Sequence, residues 1–85
     1  MIKILIVDDE KPICDLIDIN LSAAGYHCKA VQDGLQALDM IESESFDLIL
    51  LDIMLPGADG YDIMEYIRPL KIPVIFITAK HEVKD

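Results

Sequence analysis

The sequence is poor in the residues that define several protein classes. It has no tryptophan, only two cysteines (Cys14 and Cys28), and only seven lysine and arginine residues among 85. Two isolated cysteines fit neither a disulfide framework nor a paired-cysteine metal site, so we expect reduced thiols. No apolar run is long enough to cross a membrane, and the first residues lead into a strand pattern rather than a signal peptide. We therefore expect a cytoplasmic chain that does not associate with membranes.

Positive charge is scarce as well. Sixteen acidic residues against seven basic ones give a formal charge of -9. Nucleic acid phosphates repel such a chain, so it is not expected to bind DNA directly. An acidic excess suits a cation or a partner with a basic surface. The 53% hydrophobic content is typical of a globular protein, and 85 residues allow one domain.

Two kinds of apolar pattern alternate along the chain. Short β-branched or aliphatic runs predict four strands, at residues 2–7, 26–31, 48–52 and 74–77. Residues with helical spacing follow each of the first three runs: from Pro12 to a stop at Gly25, after an Asp33 cap, and from Gly60 to about Arg68. This alternation predicts an α/β fold, a doubly wound parallel sheet with helices on both faces and strand order 2-1-3-4.

The patterns also predict which side chains are buried. The unbroken aliphatic run before Asp52 predicts a third strand covered on both faces, and residues 74–77 predict a buried fourth strand. The second helix is expected to bury Leu35, Leu38 and Ile41.

Carboxylates follow two strands that this order places side by side. Asp8 and Asp9 follow strand 1, and Asp52 ends strand 3, so all three should meet at the carboxyl edge of the sheet. One such aspartate is usually a turn cap, but three together repel and need protons or a hard cation. Oxygen ligands favour Mg²⁺ or Mn²⁺ over Zn²⁺, and Mg²⁺ often joins carboxylates to a phosphate. Asp52 is then a candidate nucleophile, and Thr78, after strand 4, a candidate hydroxyl donor to phosphoryl oxygens.

Three motifs resemble one family, the receiver domain of two-component response regulators. They are Ile4-Leu5-Ile6-Val7-Asp8-Asp9-Glu10, Asp52-Ile53-Met54-Leu55-Pro56 followed by Asp59-Gly60-Tyr61, and Pro73-Val74-Ile75-Phe76-Ile77-Thr78-Ala79. The resemblance extends over residues 1–85 and implies a flavodoxin-like fold whose fifth strand is missing, so that the receiver domain is incomplete at its C-terminus.

The resemblance also implies site roles. Asp52 is expected to be the phosphoacceptor, taking a phosphoryl group from a phosphohistidine of a sensor histidine kinase. Asp9 and Asp52 would bind Mg²⁺ directly, Asp8 mainly through water, and the Met54 backbone carbonyl would be a further ligand. Thr78 would be the switch residue that reports phosphorylation. The chain would be a phosphorelay component rather than an enzyme in the ordinary sense.

The sequence departs from the family where it stops, at Asp85. The strand-5 lysine and aromatic residue of the family are absent, and so is the DNA-binding output domain of the transcription regulators that the sequence most resembles. We expect a receiver fragment whose fourth strand is an exposed apolar edge. Such an edge predicts self-association, through strand 4 or an exchanged element.

Helix 1 carries a further hint. Leu16 and Ile19 lie at one margin of its apolar stripe, which is wider than a single core contact needs. A broadly buried helix is one interpretation. The other, implied by the resemblance, is that part of the stripe docks on the helical bundle of the kinase.

Three alternatives remain at this point. A haloacid-dehalogenase-type phosphatase needs a second aspartate two residues after Asp52, where this chain has Met54. A flavodoxin-like cofactor binder needs a phosphate-binding loop after strand 1, where this chain is acidic. A pseudo-receiver, an interaction module that is never phosphorylated, is opposed by the acidic trio but is left open by the missing lysine.

Overall fold

The computed structural model describes residues 1–52 and 60–77. These residues form a four-stranded parallel sheet of order β2-β1-β3-β4, which confirms the predicted order. The strands are β1 (Lys3–Val7), β2 (His27–Val31), β3 (Leu48–Asp52) and β4 (Val74–Ile77). The helices are α1 (Lys11–Ala23), α2 (Gly34–Ser43) and α3 (Gly60–Ile67), the last followed by a 3₁₀ turn at Arg68–Leu70.

Local signals in the sequence explain where the helices begin and end. Pro12 lies in the first turn of α1, where its missing N–H leaves no hydrogen bond unmade. Gly25 follows that helix with φ of +102°, a conformation that favours glycine. Asp33 caps α2, because its side chain accepts a 2.8 Å hydrogen bond from the Gln36 N–H.

Helices cover both faces of the sheet, as predicted. On one face, α2 and α3 close the larger core; its buried residues are Leu5, Val7, Val31, Ala37, Ile41, Phe46, Ile49, Leu51, Ile63 and Ile67. On the other face, α1 covers a smaller core formed by Ile4, Ile6 and Cys14. No helix within the described ranges is both long and apolar enough to cross a bilayer.

Some burial predictions were wrong. Leu35 is 63% exposed, whereas Gly34, Ala37 and Ile41 form the buried stripe of α2. At about 100° per residue, Leu35 lies more than a quarter turn away from Gly34 and leaves the stripe. The side chain of Leu38 is only partly buried against the core.

The strands also differ from the burial prediction. In β3, Ile49 and Leu51 are buried under α2 and α3, but Leu48 and Leu50 are only half-buried on the α1 face. In β4, Ile75 and Phe76 are exposed rather than buried. Within the described residues β4 is the last strand of the sheet, and this exposure agrees with the apolar edge expected for this chain.

Candidate metal centre

The site is built by the parallel pairing of β1 and β3. Val7 pairs with Leu51, so the next residues along the two strands, Asp8 and Asp52, continue the same register at the carboxyl edge of the sheet. Asp9 follows at the start of the turn into α1. The structure brings together carboxylate oxygens of all three aspartates, each within 4.8 Å of the others. Strand order and register therefore create a cluster from residues more than 40 positions apart.

Two of the three aspartates are enclosed by protein, whereas Asp9 is more exposed. Asp8 and Asp52 are 0% and 1% exposed, respectively. The Oδ1 of Asp8 accepts a 2.9 Å hydrogen bond from the Glu10 N–H, and the Asp8 N–H donates to the Val31 carbonyl at 3.2 Å. The Oδ2 of Asp8 and the Oδ1 of Asp9 are buried as well, but they receive no hydrogen bond from residues 1–52 or 60–77. Buried carboxylate oxygens that receive no hydrogen bond lower the stability of the folded state.

Electrostatics make the arrangement still less favourable. Burial raises the pKa of the Asp8 carboxyl, and the neighbouring charges of Asp52, Asp9 and Glu10 raise it further. The hydrogen bond from the Glu10 N–H opposes this shift but does not cancel it. Two carboxylates at such a separation repel each other by about 3 kcal/mol at an effective dielectric constant of about 20. The cluster gains most from a ligand that carries positive charge.

The donor set fits a hard divalent cation. The three carboxylates supply only oxygen, which suits Mg²⁺ or Mn²⁺ better than Zn²⁺. Two oxygens on opposite sides of one Mg²⁺ lie about 4.2 Å apart, because each metal–oxygen bond is about 2.1 Å. The 4.8 Å limit of this cluster is close to that value. The buried oxygens of Asp8 and Asp9 are therefore suited to bind such an ion directly or through water.

Two predicted site residues, Met54 and Thr78, lie outside the described residues. Ile77, which precedes Thr78 in the sequence, pairs with Asp52 in the register of β3 and β4. The roles assigned to both residues, and those assigned to each aspartate, stay predictions.

One residue beside the site was not predicted from the sequence. Cys14 is buried, and its thiol donates to the backbone carbonyl of Asp8 at 3.4 Å. The available signal was its spacing, because Cys14, Ile17 and Leu21 follow one another at the three- and four-residue intervals of a buried helical stripe. Cys14 and Cys28 are both free thiols.

Comparison with known proteins identifies the family of this chain. The family model of the response regulator receiver domain matches residues 4–85. The chain belongs to the response regulator receiver domain family. Its parallel sheet of order β2-β1-β3-β4 matches the fold of receiver domains.

Solved structures of other receiver domains resemble this one closely. A two-component response regulator from Clostridium difficile is 30% identical with a TM-score of 0.88, over 96% of this chain and 69% of that chain. The response regulator TrrA from Thermotoga maritima, solved in complex with Mg²⁺-BeF, is 36% identical with a TM-score of 0.80, over 92% of this chain and 68% of that chain. TrrA in complex with the histidine kinase ThkA matches with 35% identity and a TM-score of 0.85, over 100% of this chain and 76% of that chain.

Proposed function

We propose that this receiver domain accepts a phosphoryl group on Asp52 from a phosphohistidine of a sensor histidine kinase, and that Mg²⁺ assists the transfer. The observation that carries the proposal is the cluster of Asp8, Asp9 and Asp52 at the carboxyl edge of the sheet. The Mg²⁺-BeF complex of TrrA supports the choice of ion and of a phosphate-like ligand.

The chemistry is an in-line phosphoryl transfer. A carboxylate oxygen of Asp52 forms a bond to phosphorus as the bond from phosphorus to the kinase histidine nitrogen breaks, and the electron pair of that bond stays on the imidazole. Bound Mg²⁺ supplies positive charge that offsets the carboxylates and the incoming phosphoryl oxygens. In this proposal Asp9 and Asp52 would bind the ion directly, and Asp8 would bind it mainly through water. The Met54 backbone carbonyl would be a further ligand. Thr78 is the proposed switch residue.

The same proposal makes the domain a signalling module. It catalyses at most its own phosphorylation and dephosphorylation, and the phosphorylated state controls an output domain of a transcription regulator. DNA is contacted through that output domain and not through this acidic chain. We place this two-component phosphorelay step in the cytoplasm, in keeping with two reduced cysteines.

The decisive experiment is chemical phosphorylation of the purified chain. We expect incubation with acetyl phosphate and Mg²⁺ to add the mass of one phosphoryl group, and beryllofluoride to bind in its place. Asp52→Asn should abolish the mass gain, because the acceptor oxygen is lost. Asp39→Asn, which makes the same charge change at an exposed position on α2, should leave it intact.

A chain that folds and binds Mg²⁺ but is never phosphorylated would contradict the proposal. That result would favour the alternative, a non-phosphorylated pseudo-receiver that acts as an interaction module. Mass gain that persists in Asp52→Asn would assign the phosphoacceptor to another residue.

The proposed kinase partner docks on α1. Leu16 and Ile19 are 58% and 68% exposed, so the outer margin of the apolar stripe is free of the core. TrrA, which is similar to this chain, has been solved in complex with a histidine kinase. Two large exposed aliphatic side chains on one helix suit an interface with another apolar helix.

Paired substitutions test this docking surface. Leu16→Lys with Ile19→Lys should slow phosphotransfer from the kinase at least tenfold, roughly the effect of losing 1.4 kcal/mol of binding, while acetyl phosphate still modifies the chain. Leu35→Lys, at an equally exposed leucine on α2, should leave both reactions unchanged. Equal loss of both reactions in the α1 variant would show damage to the site rather than to docking.

Self-association is proposed for the chain as it stands. Ile75 is exposed on β4, the end strand within the described part of the sheet, and an apolar end strand is open to pairing with another chain. Sedimentation at rising concentration should show a larger species, and Ile75→Lys should weaken it. A monomer at every concentration would contradict this.

A further inference from the structure

A buried thiol lies directly behind the acidic cluster. Cys14 is 1% exposed and lies on α1, in the core on the side of the sheet that this helix covers. Its Sγ lies 3.4 Å from the backbone carbonyl oxygen of Asp8 and 3.9 Å from that of Val31. The Val31 carbonyl also accepts the Asp8 N–H at 3.2 Å. One side chain therefore contacts the ends of β1 and β2 at the point where the acidic turn begins.

We propose that Cys14 is a positioning residue for the metal site, because its thiol fixes the peptide unit that joins Asp8 to Asp9. This inference rests on the proposed function, since it concerns the Mg²⁺ site. The carbonyl that the thiol contacts belongs to the peptide between these two aspartates. A peptide unit is planar and also carries the Asp9 N–H and both Cα atoms, so a contact at its oxygen restricts where these atoms can lie. One contact thereby restricts the backbone from which both carboxylates extend.

The contact is itself held from the other side. The Gln32 side-chain N–H donates to the Cys14 sulfur at 3.6 Å, and the Gln32 backbone N–H donates to the Gln36 side-chain oxygen at 3.3 Å. Gln36 lies in the first turn of α2, next to the cap formed by Asp33. A thiol is protonated at neutral pH and can donate one hydrogen bond while it accepts another. Cys14 thus connects the metal site to the start of α2.

A purely structural role for Cys14 predicts a different outcome. If the thiol only fills space under the sheet, removing it lowers the free energy of unfolding but leaves the folded site unchanged. If it aims the carboxylates, removing it weakens Mg²⁺ binding by the folded protein. The second cysteine, Cys28, offers a matched control, because it is a partly buried thiol on β2 that packs against the same core.

The test compares Mg²⁺ affinity by isothermal titration calorimetry in wild type, Cys14→Ala and Cys28→Ala. We expect Cys14→Ala to weaken affinity about threefold to tenfold, below the roughly 10- to 100-fold loss seen for strong ligand-supporting contacts, because a thiol is a weak donor. Cys28→Ala should bind like wild type. Gln32→Met, which removes the amide that donates to the sulfur, should have a smaller effect in the same direction.

A second measurement uses the intact thiol and does not depend on a Cys14 variant folding. In the Cys28→Ala chain the infrared S–H stretch reports Cys14 alone, and we expect it to shift when Mg²⁺ binds. Equal Mg²⁺ affinity in Cys14→Ala and wild type would overturn the inference. If Cys14→Ala does not fold, an S–H band that stays unchanged when Mg²⁺ binds would overturn it instead. If wild type does not bind Mg²⁺, both the proposed metal site and this inference are wrong. If wild type binds Mg²⁺ and Cys14→Ala binds it equally well, only the inference about Cys14 is wrong.

Discussion

Charged side chains are arranged differently at the two ends of the sheet. At the carboxyl end, Asp8, Asp9 and Asp52 bring their oxygens within 4.8 Å of one another. At the amino end, the Glu44 carboxylate lies between two lysines, 2.9 Å from the Nζ of Lys3 and 2.9 Å from the Nζ of Lys29. Among the described residues, the first cluster is formed by three acids, whereas in the second one acid pairs with two bases.

The amino-end cluster is stabilised within the chain. The Lys3 backbone N–H donates to the Asp47 side chain at 2.9 Å, and the Lys3 ammonium lies 5.2 Å from the centre of the Phe46 ring. The hydrogen bonds from Lys3 and Lys29 lower the pKa of Glu44, so its charged form is favoured. These contacts join β1, β2 and the segment before β3 without any ligand.

The difference separates a structural cluster from a functional one. Paired charges at the amino end contribute to folding under all conditions in which they are ionised. Repulsion between like charges at the carboxyl end opposes folding, and a bound cation or a proton reduces it.

Added Mg²⁺ should stabilise the chain strongly. Ligand that binds only the folded state at 100 times its Kd raises the free energy of unfolding by about 2.7 kcal/mol. Urea unfolding followed by circular dichroism, with and without MgCl₂, measures this change. NaCl at the same ionic strength is the control and should produce a much smaller shift. Equal stabilisation by both salts would show general screening rather than a metal site.

Neutralising Asp8 should stabilise the metal-free protein. Asp8→Asn keeps an oxygen that can accept from the Glu10 N–H but removes a buried like charge, so we expect the free energy of unfolding to rise by about 1–2 kcal/mol. The same substitution should reduce the stabilisation that Mg²⁺ provides. Asp39→Asn, at an exposed position, is the control and should change neither value. Destabilisation of metal-free Asp8→Asn would mean that the charge is already compensated.

Neutralising Glu44 should have the opposite sign and a smaller size. Glu44→Gln removes the charge that Lys3 and Lys29 share, so it should lower the free energy of unfolding slightly at neutral pH and less so at high salt. Because the folded-state pKa of Glu44 lies below the ordinary 4.5, its contribution is present above that value and is lost as pH falls through the lowered pKa. The free energies of unfolding of wild type and Glu44→Gln should therefore become equal in acid, as measured by urea unfolding at a series of pH values.

A second ion pair provides the control for Glu44. Lys11 and Asp15 form an exposed pair one turn apart on α1, at 3.2 Å. Asp15→Asn should change stability less than Glu44→Gln does, since an isolated exposed pair contributes little. If both substitutions have the same effect, the amino-end cluster is no more than an ordinary surface contact.

Much of the fold follows from local patterns in the sequence. Pro12, Gly25 and the Asp33 cap mark helix boundaries through backbone conformation and hydrogen bonding, which depend on few neighbours. Strand order followed from the alternation of elements and from the rules for parallel crossovers. The burial of single side chains was less predictable, as Leu35 shows, because small residues can form the contact stripe of a helix.

The candidate site was predictable only in part, for a related reason. Asp8, Asp9 and Asp52 could be selected because charged residues directly follow apolar strands. Cys14 carried no such mark, since its role depends on a contact between its thiol and a backbone carbonyl on another element. Contacts of this kind arise from packing and leave little trace in residue type or spacing.

The strand and helix types, their order, and the acidic residues at two strand ends can be read from the residues alone, because they depend on periodicity and on local chemistry. Only the packing of the elements brings oxygens from both strands within 4.8 Å of one another and places a thiol against the Asp8 carbonyl. The same packing buries two of these oxygens without a hydrogen bond from the described residues. Distance, burial and register are properties of elements packed together, and no short stretch of sequence specifies them.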